Sequence, residues 1–276
     1  MTTLHVFDDM EQRSPEWYAA RCGIVTASVV GKLVTTAEKS AIDFACIDCG
    51  AAPLHPCLSL RGIKNPRPIP IKTLHSGRIE TARNDDSPPT LQVADNDVSR
   101  GITAGLVAER ITGIVEQTYI TDDMWRGIEH EPHARDIYSG HYQQAVECGF
   151  MRLDGDGWSL GYSPDGLVAD EGLVEIKCPR AKGHIATILA DEVPSSHVAQ
   201  CQAALLVSGR KWIDYVSFHA GLPLFVKRMT PDPAWHEAIT EACYRFENAA
   251  KQMVDHYQDA TKALPKTERI DMEIVA

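Results

Sequence analysis

The residues whose types and spacing point most directly to chemistry lie in the stretch 161–179. Leu167-Val168-Ala169 is an apolar run, Asp170-Glu171-Gly172 a polar turn, and Leu173 to Lys177 a second run. The pattern predicts two short strands joined by a tight turn. Side chains alternate faces along a strand, so Val174 and Ile176 are expected in a core, with Glu175 and Lys177 together on the other face. Asp165, at the start of the first strand, can lie beside them. Two carboxylates and an ammonium on one spot suit hydrolysis assisted by a divalent ion. Mg²⁺ takes carboxylate and carbonyl oxygens and keeps several waters. It neutralises charge on a phosphodiester and lowers the pKa of a bound water, which a lysine can hold. A Glu-x-Lys pair alone is common in solvated hairpins; Pro164-Asp165 upstream and the apolar alternation turn the reading toward a site.

A second donor set has different chemistry. Cys46 and Cys49 form a C-x₂-C knuckle, Cys57 follows after seven residues and His75 after a further seventeen. Three thiolates and an imidazole make a closed tetrahedral set for a structural Zn²⁺, with His55 competing for the fourth position. The surrounding stretch has poor periodicity and carries Pro53, Pro56, Pro66, Pro68 and Pro70, so it needs a metal to fold. Arg61, Lys64, Arg67, Lys72, Arg78 and Arg83, against the single acid Glu80, make a local basic run. It reads as a phosphate-contacting face or as ordinary solvated charge. The scattered Cys22, Cys148, Cys178, Cys201 and Cys243 read as small buried hydrophobes.

The elements that must position these groups can be traced along the chain. Ser14-Pro15-Glu16 opens a helix on which Trp17 and Arg21 share a face. Gly23 ends it, and Thr26-Ala27-Ser28 opens another with Val29, Val30 and Leu33 as its apolar side. Arg21 and Ser28 could face a phosphate; the plainer reading is a surface arginine and a helix cap. Ile102, Leu106, Val107 and Ile111 are spaced for a helix over 99–113. A helix over 122–140 carries Glu131, with a kink or restart expected at Pro132. Glu129 should point elsewhere, and a His130–His133 metal pair lacks a third ligand. Strands are expected over 146–153, 158–161, 212–219 and 222–229. A helix starts at Ser195 or Ser196, on which Gln200 and Gln202 cannot share a face. A long terminal helix follows from Pro231, with Trp235, Ile239, Ala242, Phe246 and Met253 inside. The polar, acidic stretch 84–97, with Pro88-Pro89, reads as a linker.

Pro164-Asp165 followed by Glu175-x-Lys177 resembles the PD-(D/E)xK nuclease motif. Ser163-Pro164-Asp165-Gly166-Leu167 with Leu173-Val174-Glu175-Ile176-Lys177-Cys178-Pro179 resembles one branch of it, the phage lambda exonuclease or YqaJ-like viral recombinase family. Trp17-x-x-x-Arg21-x-Gly23-x-x-Thr26-Ala27-Ser28 is similar to that family's N-terminal motif. Gly127-x-x-x-Glu131-x-x-Ala134-Arg135 is similar to its helix that sends a glutamate to the metal site. The resemblance implies Mg²⁺-dependent (or Mn²⁺-dependent) 5′-to-3′ hydrolysis of duplex DNA from its ends, for recombination. It implies Asp165, Glu175, the Ile176 carbonyl and Glu131 as metal ligands, and Lys177 as the residue assisting the attacking water. Arg21, Ser28, Ser163 and Gln200 would hold the 5′-phosphate; Gln200 is chosen because the family uses the first glutamine of that helix. A single-strand annealing protein and a ring-shaped trimer are the partners it implies. The run from Cys46 to His75-Ser76-Gly77-Arg78 also resembles small zinc-binding modules of phage and actinobacterial proteins, which favours His75 over His55.

A net charge of −11 argues against a generally basic nucleic-acid coat, and leaves room for an enzyme that focuses positive charge in one channel. No apolar run approaches the roughly 20 residues of a membrane span. The start of the chain lacks a signal peptide's pattern, so a cytoplasmic location, in a bacterial host of a phage or prophage, is expected. No Gly-x₄-Gly-Lys-[Ser/Thr] stretch suggests ATP use. The expected fold is α/β: a restriction-endonuclease-like core, a central mixed sheet flanked by helices, over 1–43 and 98–276. A zinc-binding insertion over 44–83 and a linker over 84–97 interrupt it. Two rival readings are a nicking or structure-specific endonuclease of the same fold, and a zinc-dependent DNA-binding adaptor with an idle nuclease site. Asp165, Glu175 and Lys177 being intact counts against the adaptor.

Overall fold

The structure, a computed structural model, describes residues 2–37, 39–59, 69–87, 89–115 and 120–269. In chain order its elements begin with β1 (Thr3–Phe7), α1 (Pro15–Arg21), α2 (Ala27–Val30), β2 (Val34–Ala37), a 3₁₀ turn (Ala41–Asp43), α3 (Ser76–Arg83) and β3 (Thr90–Val93). Then come α4 (Asp97–Thr112), α5 (Asp122–His141), β4 (Ala145–Val146), β5 (Phe150–Gly155), β6 (Trp158–Tyr162), β7 (Gly166–Val168) and β8 (Gly172–Lys177). The last are α6 (Ala181–Ala190), α7 (Ser195–Ser208), β9 (Trp212–Ser217), β10 (Phe225–Met229) and α8 (Pro233–Thr261). The chain divides into two units, Met1–Val34 with Val93–Ala276, and Thr35–Gln92.

The larger unit is built on a five-stranded sheet of order β10-β9-β8-β7-β4. β8 and β9 run parallel and the other neighbours antiparallel, so the sheet is mixed. Parallel neighbours need a crossover, which α6 and α7 supply. Val174 and Ile176 of β8 pack with Val168, Val216, Phe218, and Ala134 and Tyr138 of α5, as the alternation predicts. Gly172 is required where β8 meets β9: a Cβ there would overlap the Trp212 ring. Trp212 is in turn covered by the Arg228 guanidinium at 3.6 Å. Arg228 donates twice to Asp214, whose Oδ2 also accepts from Tyr138 Oη at 2.6 Å.

A second, three-stranded antiparallel sheet of order β1-β5-β6 lies in the same unit. The single strand expected over 146–153 is two: β4 pairs with β7, and the chain passes through 147–149 into β5 of the other sheet. Pro132 does not break α5, which runs unbroken over twenty residues. Proline removes only its own N–H bond and crowds one carbonyl; Thr121 caps the start and the buried Ala134 and Tyr138 anchor the second half. α1 begins as expected, Ser14 Oγ accepting from Trp17 N at 3.2 Å. α2 is a single turn, so Leu33 is buried from beyond it. On α8, Ile239, Ala242 and Phe246 are buried, but Trp235 is half-buried and Met253 is 40 % exposed; the helix extends past the elements that cover its apolar side.

In the smaller unit the stretch 84–97 is more than a linker. Thr90–Val93 forms β3, hydrogen-bonded to β2 as a two-stranded ribbon, and Asp97 already belongs to α4. The 3₁₀ turn is closed by a Ser40–Asp43 capping box, and Ser59 N donates to Ile69 O and Ile71 N to Cys57 O.

Candidate active site and zinc-binding cluster

The hairpin β7–β8, α5 and α7 line a cleft of about 700 Å³ that gathers Glu131, Asp165, Glu175, Ile176, Lys177 and Gln200. Asp165 precedes β7 and its Oδ2 accepts from Ile176 N at 2.7 Å. In a strand the N–H and C=O of one residue point to the same edge, so the Ile176 carbonyl faces the Asp165 side. Glu175 is almost fully buried, at 1 % exposure. Its Oε1 accepts from Lys177 Nζ and from Gln200 Nε2, and its Oε2 from Tyr162 Oη at 3.4 Å. Glu131 Oε1 accepts from Arg135 Nη2 at 2.6 Å, and Arg13 lies 3.7 Å from its Oε2. Arg135 Nε donates to the Asp165 backbone carbonyl at 2.6 Å. One arginine therefore ties the glutamate helix to the aspartate loop.

Burial, reinforced by the Asp165 carboxylate, pushes Glu131 and Glu175 each up to about 7. Burial also raises Asp165, against the pull of Lys177. For Lys177 burial works to lower the pKa, but Glu175 and Asp165 outweigh it and the ammonium is held above its ordinary range. Three crowded carboxylates and one carbonyl are hard oxygen donors, which is the donor chemistry of Mg²⁺ or Mn²⁺.

Arg21 and Ser163 form a separate pair. Ser163 Oγ accepts from Arg21 Nη1 at 3.1 Å and from Trp17 Nε1 at 2.9 Å, with the guanidinium 4.0 Å over the Trp17 ring. Burial brings Arg21 down to about 10, and among the described residues it forms no ion pair with a carboxylate. Ser163 stands two residues before Asp165, at most about 7 Å along the chain. Ser28 is exposed on the cleft wall and shares a 3.0 Å hydrogen bond with Thr26. Gln200 sits on Glu175, away from the Arg21–Ser163 pair's hydrogen bonds. Gln202 is buried and serves the backbone, donating to Thr230 O and accepting from Asp232 N. Glu129 and His133 are exposed, and His130 packs edge-on against Phe218. The scattered cysteines are free; Cys148, Cys201 and Cys243 are buried, whereas Cys22 is half-buried and Cys178 half-buried at the cleft.

Sequence reasoning missed several neighbours. Gln12 Nε2 donates to both Cys148 O at 3.0 Å and Pro164 O at 2.9 Å, so it pins the residue before Asp165. Arg13 adopts a left-handed backbone, φ +71°. Arg126 and Arg180 both pair with Asp123 at the cleft mouth. Nothing in the local sequence marks Gln12, because its partner lies 152 residues away. Arg135 belongs to the Gly127–Arg135 motif, whose pattern alone gives it no role.

In the smaller unit the ligand atoms of Cys46, Cys49, Cys57 and His75 all lie within 4.8 Å of one another. Cys46 Sγ is 3.4 Å from His75 Nδ1. His55 is exposed, its Nδ1 against Pro53 O at 2.9 Å, so His75 is the fourth member. Gly50, at φ +70°, turns the knuckle and its N–H donates to Cys46 O. The Leu58 N–H donates to Cys49 Sγ at 3.4 Å and heads the causes that bring that thiol down to about 6. Asp48 Oδ2 accepts from Gly77 N at 2.8 Å, capping α3, where a Cβ on Gly77 would fall 2.7 Å from that oxygen. Three soft thiolates and an imidazole fit a tetrahedral zinc ion. Of the basic run, Arg61, Lys64 and Arg67 lie outside the described residues; Lys72 and Arg83 are exposed. Arg78 is fully buried, so it is not part of any basic face.

Among the described residues no helix is long and apolar enough to cross a membrane. No curated protein matches the chain. Residues 95–211 match the YqaJ-like viral recombinase domain, and residues 11–96 a putative DNA-binding phage zinc finger domain. Among solved structures, the alkaline exonuclease LHK-Exo of Laribacter hongkongensis is 26% identical with a TM-score of 0.63, over 91% of this chain and 100% of its own. The same enzyme in complex with dAMP is 25% identical with a TM-score of 0.63, over the same shares. The chain thus has one region that matches the YqaJ-like viral recombinase domain, another that matches a phage zinc finger domain, and homology to alkaline exonucleases.

Proposed function

We propose that this chain is a divalent-metal-dependent deoxyribonuclease that degrades duplex DNA from its ends, 5′ to 3′. The observation that carries the reading is one cleft holding Glu131, Asp165, Glu175 and Lys177, with Ser163, two residues upstream of Asp165, accepting from the half-buried Arg21 guanidinium, which among the described residues has no ion-paired carboxylate. Asp165, Glu175, Glu131 and the Ile176 carbonyl would hold Mg²⁺ or Mn²⁺. Such an ion supplies charge neutralisation and a bound water of lowered pKa. Lys177 and Gln200 both donate to Glu175 Oε1 and fix that carboxylate, and Lys177 holds the attacking water. Arg21 and Ser163 take the terminal phosphate, with Ser28 on the cleft wall beside it. Because Ser163 and Asp165 are so close in the chain, an anchored end presents its next phosphodiester to the carboxylates, so each cut re-creates an end. The 3′ single strand left behind suits recombination with a single-strand annealing protein, and a ring trimer would keep the enzyme on that strand. The zinc module is structural, since all four tetrahedral positions are filled by protein.

The test is incubation of linear and closed-circular duplex DNA with Mg²⁺, with and without EDTA. The reading expects progressive loss of linear DNA in Mg²⁺ alone and intact circles. Cut circles would favour the endonuclease of the same fold, and binding without cleavage of either substrate would favour the adaptor.

A further inference from the structure

Arg78 is a fully buried guanidinium in the smaller unit. It comes from α3, three residues after His75, and it spends its donors on the knuckle's own backbone. Nε donates to Phe44 O at 2.8 Å, Nη1 to His55 O at 2.7 Å, and Nη2 to Ile42 O at 2.8 Å and Ala52 O at 3.0 Å. The four carbonyls come from just before Cys46 and from between Cys49 and Cys57. The fork therefore clamps both flanks of the ligand loops, a geometry that a lysine ammonium cannot reproduce.

Carbonyl dipoles satisfy N–H groups, but they do not neutralise a charge. Burying a cation is costly unless an anion accompanies it, and no ion pair among the described residues supplies Arg78 with a carboxylate. Its remaining hydrogen bond runs from Nη1 to Cys57 Sγ, at 3.5 Å. A zinc ion held by three thiolates and a neutral imidazole carries one net negative charge, and Cys57 is one of those thiolates.

We infer that Arg78 is the counter-ion of the zinc–thiolate cluster: it orients Cys57 and cancels the cluster's charge inside the module. Metal and arginine then stabilise each other's burial. Without the metal, the module buries a cation that has no ion-paired carboxylate among the described residues; without the arginine, it buries an anionic cluster. Groups that hydrogen-bond metal ligands typically change metal affinity about 10–100-fold when removed. This role is independent of the proposed nuclease reaction.

The experiment uses the full-length chain as Arg78→Gln and Arg78→Lys variants. Zinc affinity is read by competition with a chromophoric chelator, and the cluster by the sulfur-to-metal absorption of the Co²⁺-substituted protein. Arg78→Gln keeps a hydrogen-bonding group and loses the charge; it should weaken zinc binding roughly 10–100-fold. Arg78→Lys keeps the charge and loses the fork; it should retain zinc better than Arg78→Gln by about tenfold or more. In a Cys57→Ser background the Arg78→Gln change should cost much less, because the partner thiolate is gone. Wild-type affinity in Arg78→Gln, or equal weakening in both variants, would show a scaffold that acts through hydrogen bonds alone. If Arg78→Gln fails to fold, Arg78→Lys decides: folding with bound zinc supports the counter-ion, and its failure as well overturns it.

Discussion

Asp165 has one oxygen on the Ile176 N–H and its backbone carbonyl on Arg135, so the side chain is held in place before any ligand arrives. Asp165→Ala should lower cleavage of linear duplex by about a thousandfold or more, the scale of several kcal/mol lost from transition-state charge stabilisation; near-normal rates in a folded variant would remove Asp165 from the chemistry. The pH dependence follows from Glu131 and Glu175, each at about 7 against an ordinary 4.5. A carboxylate whose folded pKa is raised keeps its proton in the folded state. Its contribution to metal-free stability is therefore present at low pH and is lost as pH rises from about 4.5 through about 7. A divalent ion binds the ionised form, so thermal stabilisation by Mg²⁺ should grow between pH 6 and pH 8, and shrink in Glu131→Gln. A Mg²⁺ shift that is flat across that range would contradict the raised carboxylates. Arg21, half-buried on Ser163 and without an ion-paired carboxylate among the described residues, should favour a doubly charged phosphate over a hydroxyl end. Arg21→Ala should cut the rate preference for 5′-phosphorylated duplex by roughly tenfold or more, the scale of a charged hydrogen bond. Equal wild-type rates on both ends would rule the cradle out as an end sensor.

At the scale of elements, the hairpin is legible in the sequence because it is a local pattern: Val174 and Ile176 alternate with Glu175 and Lys177, and the core lies on one face. The zinc set is legible because its ligands are close in sequence and few residue types bind the metal. What stays hidden depends on partners far along the chain. Gln12 reaches Pro164, β1 finds its place only against β5, and Ala145–Val146 parts from Phe150 because two sheets claim the same apolar run. Arg78 reads as surface charge in the sequence because composition does not show that four carbonyls wait for it. Met253 follows the apolar spacing of α8, but periodicity does not show where the covering elements stop. Gly172 carries a prediction at this scale. Its missing side chain admits the Trp212 ring, which the Arg228–Asp214–Tyr138 network holds from the other side. Gly172→Ala should cost about 1–3 kcal/mol by overpacking, lowering Tm on the order of 2–10 °C. Relief of that destabilisation by Trp212→Leu in the same chain would confirm the close approach; an unchanged Tm in the single variant would show that the ring gives way freely.

At the scale of the molecule the difficulty is charge: a net −11 chain must approach a polyanion. Attraction has to come from local concentrations of positive charge, and the sequence offers one between Arg61 and Arg83. Arg78 does not contribute to it, being buried beside Cys57. Lys72 and Arg83 are exposed, and Arg61, Lys64 and Arg67 lie outside the described residues. The match of residues 11–96 to a putative DNA-binding phage zinc finger domain agrees with a DNA-touching role for this stretch. Purified protein made with ample zinc should carry about one equivalent, since a closed thiolate site releases the metal reluctantly. Exchanging Arg61, Lys64 and Arg67 for glutamine should leave that zinc and the cleavage of saturating substrate in place, because an arginine or a lysine is not a zinc ligand and the proposed chemistry rests on Glu131, Asp165, Glu175 and Lys177. It should weaken duplex binding and flatten its dependence on salt, by roughly 0.9 in the log–log slope for each phosphate that is no longer neutralised. The slope distinguishes the outcomes better than affinity does, because it counts released counterions and is insensitive to a small change in stability. A triple variant with wild-type affinity and slope would make the module a fold staple, and the attraction that offsets the chain's negative charge would then lie outside Arg61, Lys64 and Arg67.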